Sequence, residues 1–283
     1  NRISGWFKQF RRYVSKEKIR GVMLVVIESK DNALFKNTRK LKERKYRTKE
    51  NKYIIEGFRL VQEAFKAKCS IEYLIVNEHG KDKINDYLQE YVDNIKIYEL
   101  KNELFTQLVS TENTQGIIAV VNINNSIKDI KGDFYLLCDK VQDPGNLGTI
   151  IRTAHAAGVN AIILTKGTVD IYNDKTIRST MGSIFYVPII YDNDLSFLKN
   201  LKDEGFSLVA TSLEESKNFF DEDLSGKVIL SVGNEGNGIS DEIFDLADKK
   251  VKIPMPGGAE SLNVGVATSI ILFEKVRQKL CKN

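Results

Sequence analysis

The sequence is poor in the residues on which metal sites, disulfide frameworks and histidine-based catalysis depend. It has three cysteines in 283 residues, Cys69, Cys138 and Cys281, and no two of them form a Cys-x-x-Cys pair. This usage argues against a disulfide framework and a zinc site, and it fits a reducing cytoplasm. His79 and His155 are the only histidines. A histidine-rich metal site is therefore not expected, and Ser-His-Asp catalysis, which needs one histidine, has little support.

Long apolar runs are also lacking. No run reaches the length of a membrane span, and no signal-peptide pattern opens the sequence. Hydrophobic residues make up 42% and charged residues 28% of the chain, which is typical of a soluble globular protein. The length allows one large domain or two ordinary ones.

The small net charge of +4 conceals an uneven distribution. Residues 1–52 hold 17 basic and 5 acidic side chains, whereas the rest of the chain holds 25 basic and 33 acidic ones. A basic N-terminal arm on a mildly acidic body is common in polyanion binders, although a solvated charged face or a disordered tail would have the same composition. Within this arm, residues 1–22 fit either a basic amphipathic helix or an extension that does not belong to the native protein.

Helix-like and strand-like segments alternate from about Asn51 onward. Residues 23–122 show three such helix–strand pairs, which predict a small αβα domain. The polar segment 123–132 predicts a linker. Residues 133–283 then contain six continuous apolar strand-like runs separated by helix-like runs. These indicate an α/β fold, with a mainly parallel sheet covered by helices on both faces.

Ligands of such sheets bind beyond the C-terminal ends of the strands, and three loops occupy this position. The first belongs to the stretch of residues 139–158 and turns through Asp-Pro-Gly-Asn into a helix that carries Arg152. The second, residues 230–240, has glycines in the order G-x-x-G-x-G, which is not the order of dinucleotide-binding folds. The third, residues 253–263, enters an apolar helix through two prolines and two glycines.

The third loop requires the most explanation, because a loop that lies against the core needs partners for its amides and carbonyls. A bound ligand with hydrogen-bonding edges would supply them. Each loop taken alone also has an ordinary structural explanation. The first is a well-capped helix start with a surface arginine, and the second is a solvated turn around Glu235.

The three loops lie in the segments DPGNLGTIIRTAHAAG, LSVGNEGNGIS and IPMPGGAESLNVGVATSIILFE. Taken together, these segments resemble the ordered motifs of the SpoU-type (TrmH-like) 2′-O-ribose RNA methyltransferases, a family of the knotted SPOUT superfamily. The resemblance covers about residues 134–280. Two segments before them, NKYIIEGFRLVQEAF and TENTQGIIAVV, resemble the small RNA substrate-binding domain that precedes the catalytic domain in many members. The third motif departs mildly from the family pattern, because Glu260 adds a negative charge where small residues and serines are commoner.

The resemblance implies a C-terminal trefoil knot, a homodimer built on it, and S-adenosyl-L-methionine as cofactor in the cleft between the second and third loops. The implied cofactor-binding residues are Gly233, Asn234, Gly236, Gly238, Ile253, Met255, Gly258 and Leu262. The implied catalytic residues are Arg152, Asn146, Glu235, Ser261 and Asn263. Because arginine hardly deprotonates in proteins, we expect Arg152 to hold a phosphate and stabilise the oxyanion. Glu235 or a water would then accept the proton.

A ribose 2′-OH nucleophile makes RNA the substrate, and the two-domain form favours ribosomal over transfer RNA. The cations expected to contact phosphate are Lys36, Arg39, Lys40, Lys42, Arg44, Lys45, Arg47 and Lys49. The alternatives are a transfer RNA 2′-O-methyltransferase, a catalytically idle RNA-binding protein, a knotted enzyme that methylates a base nitrogen, and a nicotinamide-dependent oxidoreductase. No metal and no membrane partner is expected.

Overall fold

The computed structural model describes residues 16–19, 22–124, 130–212 and 217–282. Its contacts divide the chain into two compact units, Asn1–Asn125 and Ser126–Asn283. Most of the amphipathic helix considered for residues 1–22 lies outside the described residues. Its end, Lys16–Ile19, is an antiparallel strand rather than a helix.

The first unit contains a six-stranded mixed sheet. Its strands are β1 (Lys16–Ile19), β2 (Val22–Ile27), β3 (Lys52–Glu56), β4 (Ile71–Val76), β5 (Lys96–Leu100) and β6 (Ile117–Asn122), in the sheet order β1-β2-β5-β4-β6-β3. Its helices are α1 (Ala33–Lys40), α2 (Arg44–Glu50), α3 (Phe58–Lys66), α4 (Glu78–Leu88) and α5 (Asn102–Phe105). The sequence predicted the alternation from α3 onward and missed β1, β2 and β3. The edge strand β3 was missed because only its alternate residues are buried, so that no continuous apolar run marks it in the sequence.

Two segments that resembled the substrate-binding domain are neighbours in the first unit. Strand β3 pairs antiparallel with β6, and the Glu56 carboxylate accepts hydrogen bonds from the Ser110 N–H and the Thr111 hydroxyl. Beside them, Gln115 Oε1 accepts a hydrogen bond of 2.9 Å from the Phe58 N–H. The two segments that resemble the substrate-binding domain therefore lie side by side in the first unit and are hydrogen-bonded to each other.

The second unit contains a seven-stranded sheet in which every described strand pair is parallel. Its strands are β7 (Phe134–Cys138), β8 (Ala161–Thr165), β9 (Ile189–Asp192), β10 (Ser207–Thr211), β11 (Lys217–Asn218), β12 (Val228–Val232) and β13 (Lys249–Lys252). Its helices are α6 (Pro144–Ala156), α7 (Asp174–Thr180), α8 (Ser196–Asp203), α9 (Asp241–Leu246) and α10 (Val264–Lys282). The six runs that predicted strands are the six longer ones. Only β11, which has two residues, was not expected.

Helices cover both faces of this sheet. In β7, Leu136 packs in the cluster that contains Ile150 of α6 and Ile271 of α10. The next residue along, Leu137, packs in a separate cluster with Leu198 of α8. Each fully buried aliphatic side chain of this kind stabilises the fold by about 1.5–3 kcal/mol. The predicted α/β fold class, with a parallel sheet between two helical layers, is confirmed.

The strand order β11-β13-β10-β12-β7-β8-β9 places a switch point between β7 and β12. On one side of this point the sheet contains β7, β8 and β9, in chain order. On the other side it continues from β12 to β10, β13 and β11. Because the strands are parallel, the loops after β7, β12 and β13 leave from the same edge of the sheet. Ligands of open α/β sheets bind at such a point.

Candidate active site

The first loop is fixed by the cap of α6. Asp143 Oδ1 accepts a hydrogen bond of 2.8 Å from the Asn146 N–H, and Pro144 occupies the first helical position. Asp143 Oδ2 lies 3.1 Å from Lys175 Nζ. The hydrogen bond from Asn146, followed by that from Lys175, lowers the pKa of Asp143. The cap therefore stays ionised and holds Asn146 in the first turn of α6.

Glu235, in the second loop, accepts three hydrogen bonds from the first. Its Oε2 accepts from the Gln142 N–H at 3.1 Å, and its Oε1 accepts from the Asp143 N–H at 3.1 Å and from Asn146 Nδ2 at 3.0 Å. Desolvation raises the pKa of Glu235, but these hydrogen bonds outweigh it, so that the net pKa is lowered. Glu235 is an ionised acceptor that ties two loops together.

Asn146 also reaches the third loop. Its Oδ1 accepts a hydrogen bond of 2.9 Å from Asn263 Nδ2. The Oδ1 of Asn263 caps α10 by accepting from the N–H groups of Gly265 at 2.9 Å and Val266 at 3.3 Å. With a carboxylate at one end and two backbone donors at the other, both amides can have only one orientation. Glu235, Asn146 and Asn263 thus form a directed chain, called here the three-loop chain.

The second loop closes on itself through Asn234 and Gly238, which exchange backbone hydrogen bonds of 2.8 and 2.9 Å. Inside this turn, Asn234 Oδ1 accepts from the N–H groups of Gly236 and Asn237. A Cβ at Gly233 would lie 2.1 Å from the Gly238 carbonyl carbon. The loop can therefore form only with glycine at position 233.

Asp139 is a buried residue of this region that the sequence reasoning missed. It is 1% exposed and follows β7 directly. Its Oδ1 accepts from the Thr165 hydroxyl at 2.7 Å, and its Oδ2 accepts from the Ser240 N–H at 2.7 Å. It therefore anchors the far end of the second loop to β7 and β8. The sequence feature that could have identified Asp139 is a carboxylate directly after a wholly apolar strand.

The third loop offers unpaired backbone beside apolar side chains. Between residues 253 and 262, the only backbone hydrogen bond within the described chain is from the Gly258 N–H to the Met255 carbonyl, at 3.0 Å. The side chains of Ile253, Met255 and Leu262 are half-buried next to it. This combination fits a cofactor with an apolar ring and hydrogen-bonding edges, which is the chemistry of S-adenosylmethionine.

The need for glycine at position 258 is conformational. Gly258 has φ +79°, and a Cβ built on it would have no atom within 4 Å. The neighbouring Gly257 has equally open surroundings and no positive φ.

Arg152 lies on the outward side of α6, between its two helical neighbours. On one side, a Cβ at Gly148 would lie 2.3 Å from Ser179 of α7, and on the other, a Cβ at Gly265 of α10 would lie 3.2 Å from Thr149. Arg152 is exposed and forms no hydrogen bond or ion pair with the residues that the structure describes. It is about 120° around the helix from Asn146, so it lies outside the three-loop chain.

Ser261 is exposed in the third loop, and its hydroxyl has no hydrogen-bond partner within the described ranges. Glu260 beside it is also exposed. The structure therefore brings three of the five predicted catalytic residues into contact and leaves Arg152 and Ser261 as exposed groups on the same unit.

The first unit presents most of the predicted phosphate contacts to solvent. The exposed cations on α1, α2 and the turn between them are Lys36, Arg39, Lys40, Lys42, Arg44, Lys45 and Lys49. Arg47 is 6% exposed, and its Nη1 donates hydrogen bonds to the carbonyl oxygens of Leu41 at 2.9 Å and Lys42 at 2.7 Å. The prediction that Arg47 contacts RNA is wrong, because its guanidinium is used to hold this turn.

Two further absences concern other kinds of site. No group of three His, Cys, Asp or Glu side chains among the described residues is placed to hold a metal ion. No helix in the described ranges is both long and apolar enough to cross a membrane.

Comparison with known proteins identifies the family of the chain. The model of the SpoU rRNA Methylase family matches residues 133–273, and that of the MRM3-like substrate binding domain matches residues 32–119. The 23S rRNA (guanosine(2553)-2′-O)-methyltransferase RlmP of Bacillus subtilis is 38% identical over 247 residues, which cover 87% of this chain and 97% of that protein. The chain belongs to the SpoU rRNA methylase family.

Solved structures agree in fold over nearly the whole chain. The AdoMet-bound rRNA methyltransferase from Sinorhizobium meliloti has a TM-score of 0.79 at 33% identity, covering 90% of this chain and 98% of that one. The SpoU methyltransferase AviRb from Streptomyces viridochromogenes, in complex with AdoMet, has a TM-score of 0.79 at 28% identity, covering 88% and 98%. The predictions of the family, of an RNA 2′-O-methyltransferase and of S-adenosylmethionine as cofactor are confirmed.

Proposed function

We propose that this enzyme methylates the 2′-OH of a guanosine ribose in 23S ribosomal RNA, with the three loops of the second unit as its active site. One observation carries the site assignment. The three-loop chain joins the loops after β7, β12 and β13 at the switch point of the sheet. Arg152, an exposed cation that forms no ion pair with the described residues, lies on α6, the helix that carries Asn146. The ribosomal substrate is supported by the name of the Bacillus subtilis relative.

The second and third loops are assigned the cofactor. When bound, S-adenosylmethionine supplies an electrophilic methyl group. The carbonyl oxygens of Gly233, Asn234, Gly236, Gly238 and Gly258 would accept hydrogen bonds from its polar edges, since a carbonyl has two lone pairs, whereas four of the N–H groups already donate within the loops. Ile253, Met255 and Leu262 would pack against its apolar parts. The half-buried state of these three side chains and the unpaired backbone beside them support the assignment.

Arg152 is assigned the phosphate next to the reacting ribose and the negative charge that develops on its 2′-oxygen. Its guanidinium is exposed and forms no hydrogen bond or ion pair with the described residues, and arginine side chains are not deprotonated in proteins. A planar fork that donates several hydrogen bonds suits both groups. Ser261 is assigned a supporting hydrogen bond to the substrate, which its exposed hydroxyl allows.

Glu235 is assigned a positioning role, and a water molecule the role of final proton acceptor. All three of its hydrogen bonds are accepted from protein donors, and its lowered pKa makes it a weak base. In this role, Glu235 fixes the amide of Asn146, which in turn fixes Asn263 at the start of α10.

The layout that goes with this activity is an RNA substrate-binding domain at 23–122, a linker at 123–132 and a methyltransferase domain at 133–283. The exposed cations of α1 and α2 would contact RNA phosphates, and Tyr46 lies among them. Lys40 Nζ and Lys45 Nζ are 5.6 and 4.7 Å from the centroid of its ring. The cysteine usage supports a cytoplasmic setting.

A C-terminal trefoil knot and a homodimer complete the proposal. The helix α10 exposes Val266, Phe273 and Leu280, with 48%, 47% and 71% of each side chain accessible. Since these residues are seven positions apart, they lie along one face of the helix, as a subunit contact requires. Light scattering at micromolar concentration should give the mass of a dimer, and Phe273→Glu should reduce it; a monomeric wild type would refute the dimer.

The test of the function is mass-spectrometric mapping of 2′-O-methyl groups in ribosomal RNA from cells with and without the gene. One 23S position should lose its methyl group when the gene is deleted. It should regain the group with the wild-type gene but not with Arg152→Ala. Loss of a methyl group from transfer RNA alone would refute the proposed substrate.

A further inference from the structure

A stacked pair of rings lies beside Arg152. His155 follows Arg152 by three positions on α6, so the two side chains are neighbours on the helix surface, with Cβ atoms about 5–6 Å apart. The His155 imidazole stacks on the Tyr186 ring, with centroids 5.0 Å apart and planes 6° from parallel. Both residues are exposed, and 43% of Tyr186 is accessible. Arg152 therefore has a flat aromatic surface next to it.

The ring pair is held in one orientation by a turn that packs on α6. His155 Nδ1 and Ser183 Oγ are 3.2 Å apart, and Ser183 is only 8% exposed. Ser183 begins the 3-10 helix Ser183–Phe185, and the Tyr186 N–H donates a hydrogen bond of 3.1 Å to its carbonyl. Because the rings are positioned in advance, a ligand that stacks on them loses little free energy to ordering.

The chemistry of this surface suits a nucleobase. Bases of unpaired RNA are recognised by stacking on aromatic side chains, and every base has a π-face to offer. In a nucleotide, the ribose lies between the base and the phosphate. Contacts with the base on the rings and with a phosphate at Arg152 would therefore restrict the ribose from both sides, which brings its 2′-OH into a defined position.

We infer that His155 and Tyr186 form a stacking platform for an RNA base at or next to the methylated nucleotide. The inference rests on the proposed function, because it assigns to the rings a part of the same RNA substrate. Neither ring reacts; Tyr186 contacts the substrate, and His155 positions Tyr186.

The test compares variants at Tyr186 in methyl transfer to unmodified 23S ribosomal RNA transcribed in vitro. Tyr186→Phe and Tyr186→Trp keep a π-face, whereas Tyr186→Leu keeps apolar bulk without one and Tyr186→Ala removes both. Tyr191→Ala is the matched control, because Tyr191 is a similarly exposed tyrosine, 44% accessible, on strand β9. The measurements are the KM for RNA, kcat, the affinity for S-adenosylmethionine, the melting temperature and the mass in solution.

Loss of the π-face should raise the KM for RNA, or lower kcat/KM, by about 5- to 150-fold in Tyr186→Ala and Tyr186→Leu. Tyr186→Phe, Tyr186→Trp and Tyr191→Ala should stay within about threefold of the wild type, and cofactor affinity should not change. If Tyr186→Ala does not fold, the comparison of folded Tyr186→Phe with folded Tyr186→Leu decides the question alone.

Three results would overturn the platform. They are an unchanged kcat/KM in Tyr186→Leu, equal values for Tyr186→Leu and Tyr186→Phe, and a lower mass in solution for the Tyr186 variants, which would make the ring a subunit contact. Failure of the proposed function looks different, since the wild-type enzyme itself would then not methylate 23S RNA although it binds the cofactor.

Discussion

Asn146 and Asn263 are 117 positions apart in the chain, and their side-chain amides meet in a hydrogen bond of 2.9 Å. Asn146 lies in the first turn of α6, and Asn263 caps α10. Since Asn146 also donates to Glu235, one amide joins the loops after three different strands. A substitution at any of these three residues should therefore also alter the loops to which that residue does not belong.

The first prediction concerns Arg152. If this residue acts as a fixed cation, Arg152→Ala and Arg152→Lys should each lose at least about 2 kcal/mol of transition-state stabilisation, because lysine lacks the planar fork. Single-turnover methyl transfer measures this, with Lys199→Ala, which removes an exposed cation from α8, as the control. Cofactor affinity should barely change.

The competing interpretation, in which Arg152 is a general base, differs in its pH dependence. A lysine loses its proton more readily than an arginine. A lysine variant whose rate rises across pH 6 to 10 until it approaches that of the wild type would support the base and refute the cation.

The second prediction concerns Glu235. In Glu235→Gln, one carboxylate oxygen becomes an NH₂ group, which faces either the Gln142 N–H or the donors of Asp143 and Asn146, because these bind different oxygens. We expect a loss of about 1–2 kcal/mol in the free energy of unfolding, less than for a fully buried charged acceptor because Glu235 is exposed. The methyl-transfer rate should also fall, since the orientation of Asn146 is no longer fixed. Glu260→Gln, in the neighbouring loop, should behave like the wild type.

The pH dependence of stability follows from the lowered pKa of Glu235. Its pKa in the folded protein is below the ordinary value of 4.5, so the contribution of Glu235 is fully present above pH 4.5. It is lost as the pH falls through the lower, folded-state value. The difference in melting temperature between the wild type and Glu235→Gln should therefore be constant at neutral pH and shrink in acid. A difference that grows on acidification would contradict the three-loop chain.

The third prediction concerns the glycines of the third loop. Gly258→Leu should weaken S-adenosylmethionine binding at least about tenfold, because φ +79° costs a side-chain-bearing residue about 1–2 kcal/mol and the side chain would enter the cofactor cleft. Gly258→Asn should lose less, since asparagine tolerates this conformation. Calorimetry gives the affinities. Gly257→Ala, at a position without positive φ, is the control, and unchanged affinity in Gly258→Leu would remove the third loop from the site.

The fourth prediction separates the exposed cations of the first unit from Arg47. Reversing Lys40, Arg44 and Lys45 to Glu should weaken RNA binding and reduce the slope of log affinity against log salt by about 0.7 for each phosphate that is no longer neutralised. Cofactor affinity should remain the same. Arg47→Met should instead lower the melting temperature, because the carbonyls of Leu41 and Lys42 lose their donor. RNA affinity that is insensitive to the three reversals would mean that these cations form only a solvated face.

The sequence by itself determined the six longer strands of the second unit and the three loops that follow β7, β12 and β13. Buried parallel strands are continuous apolar runs, and all five residues of β7, β8 and β12 are buried, so the pattern was visible without any knowledge of the fold. The loops were visible because glycine, proline, asparagine and aspartate act on the backbone locally. The edge strand β3 was missed for the same reason, since its alternating burial leaves no apolar run.

Only the tertiary structure decided which side chains meet. The hydrogen bond between Asn146 and Asn263 depends on the order of β7, β12, β10 and β13 in the sheet, and no local pattern encodes that order. Charge counting likewise could not distinguish Arg47 from Lys45, because a cation that binds backbone carbonyls and one that faces solvent contribute equally to a composition. The stacking of Tyr186 on His155 has the same origin, since it requires the turn after α7 to pack against α6. Such contacts arise from long-range packing, whereas the strands and loops arise from the preferences of neighbouring residues.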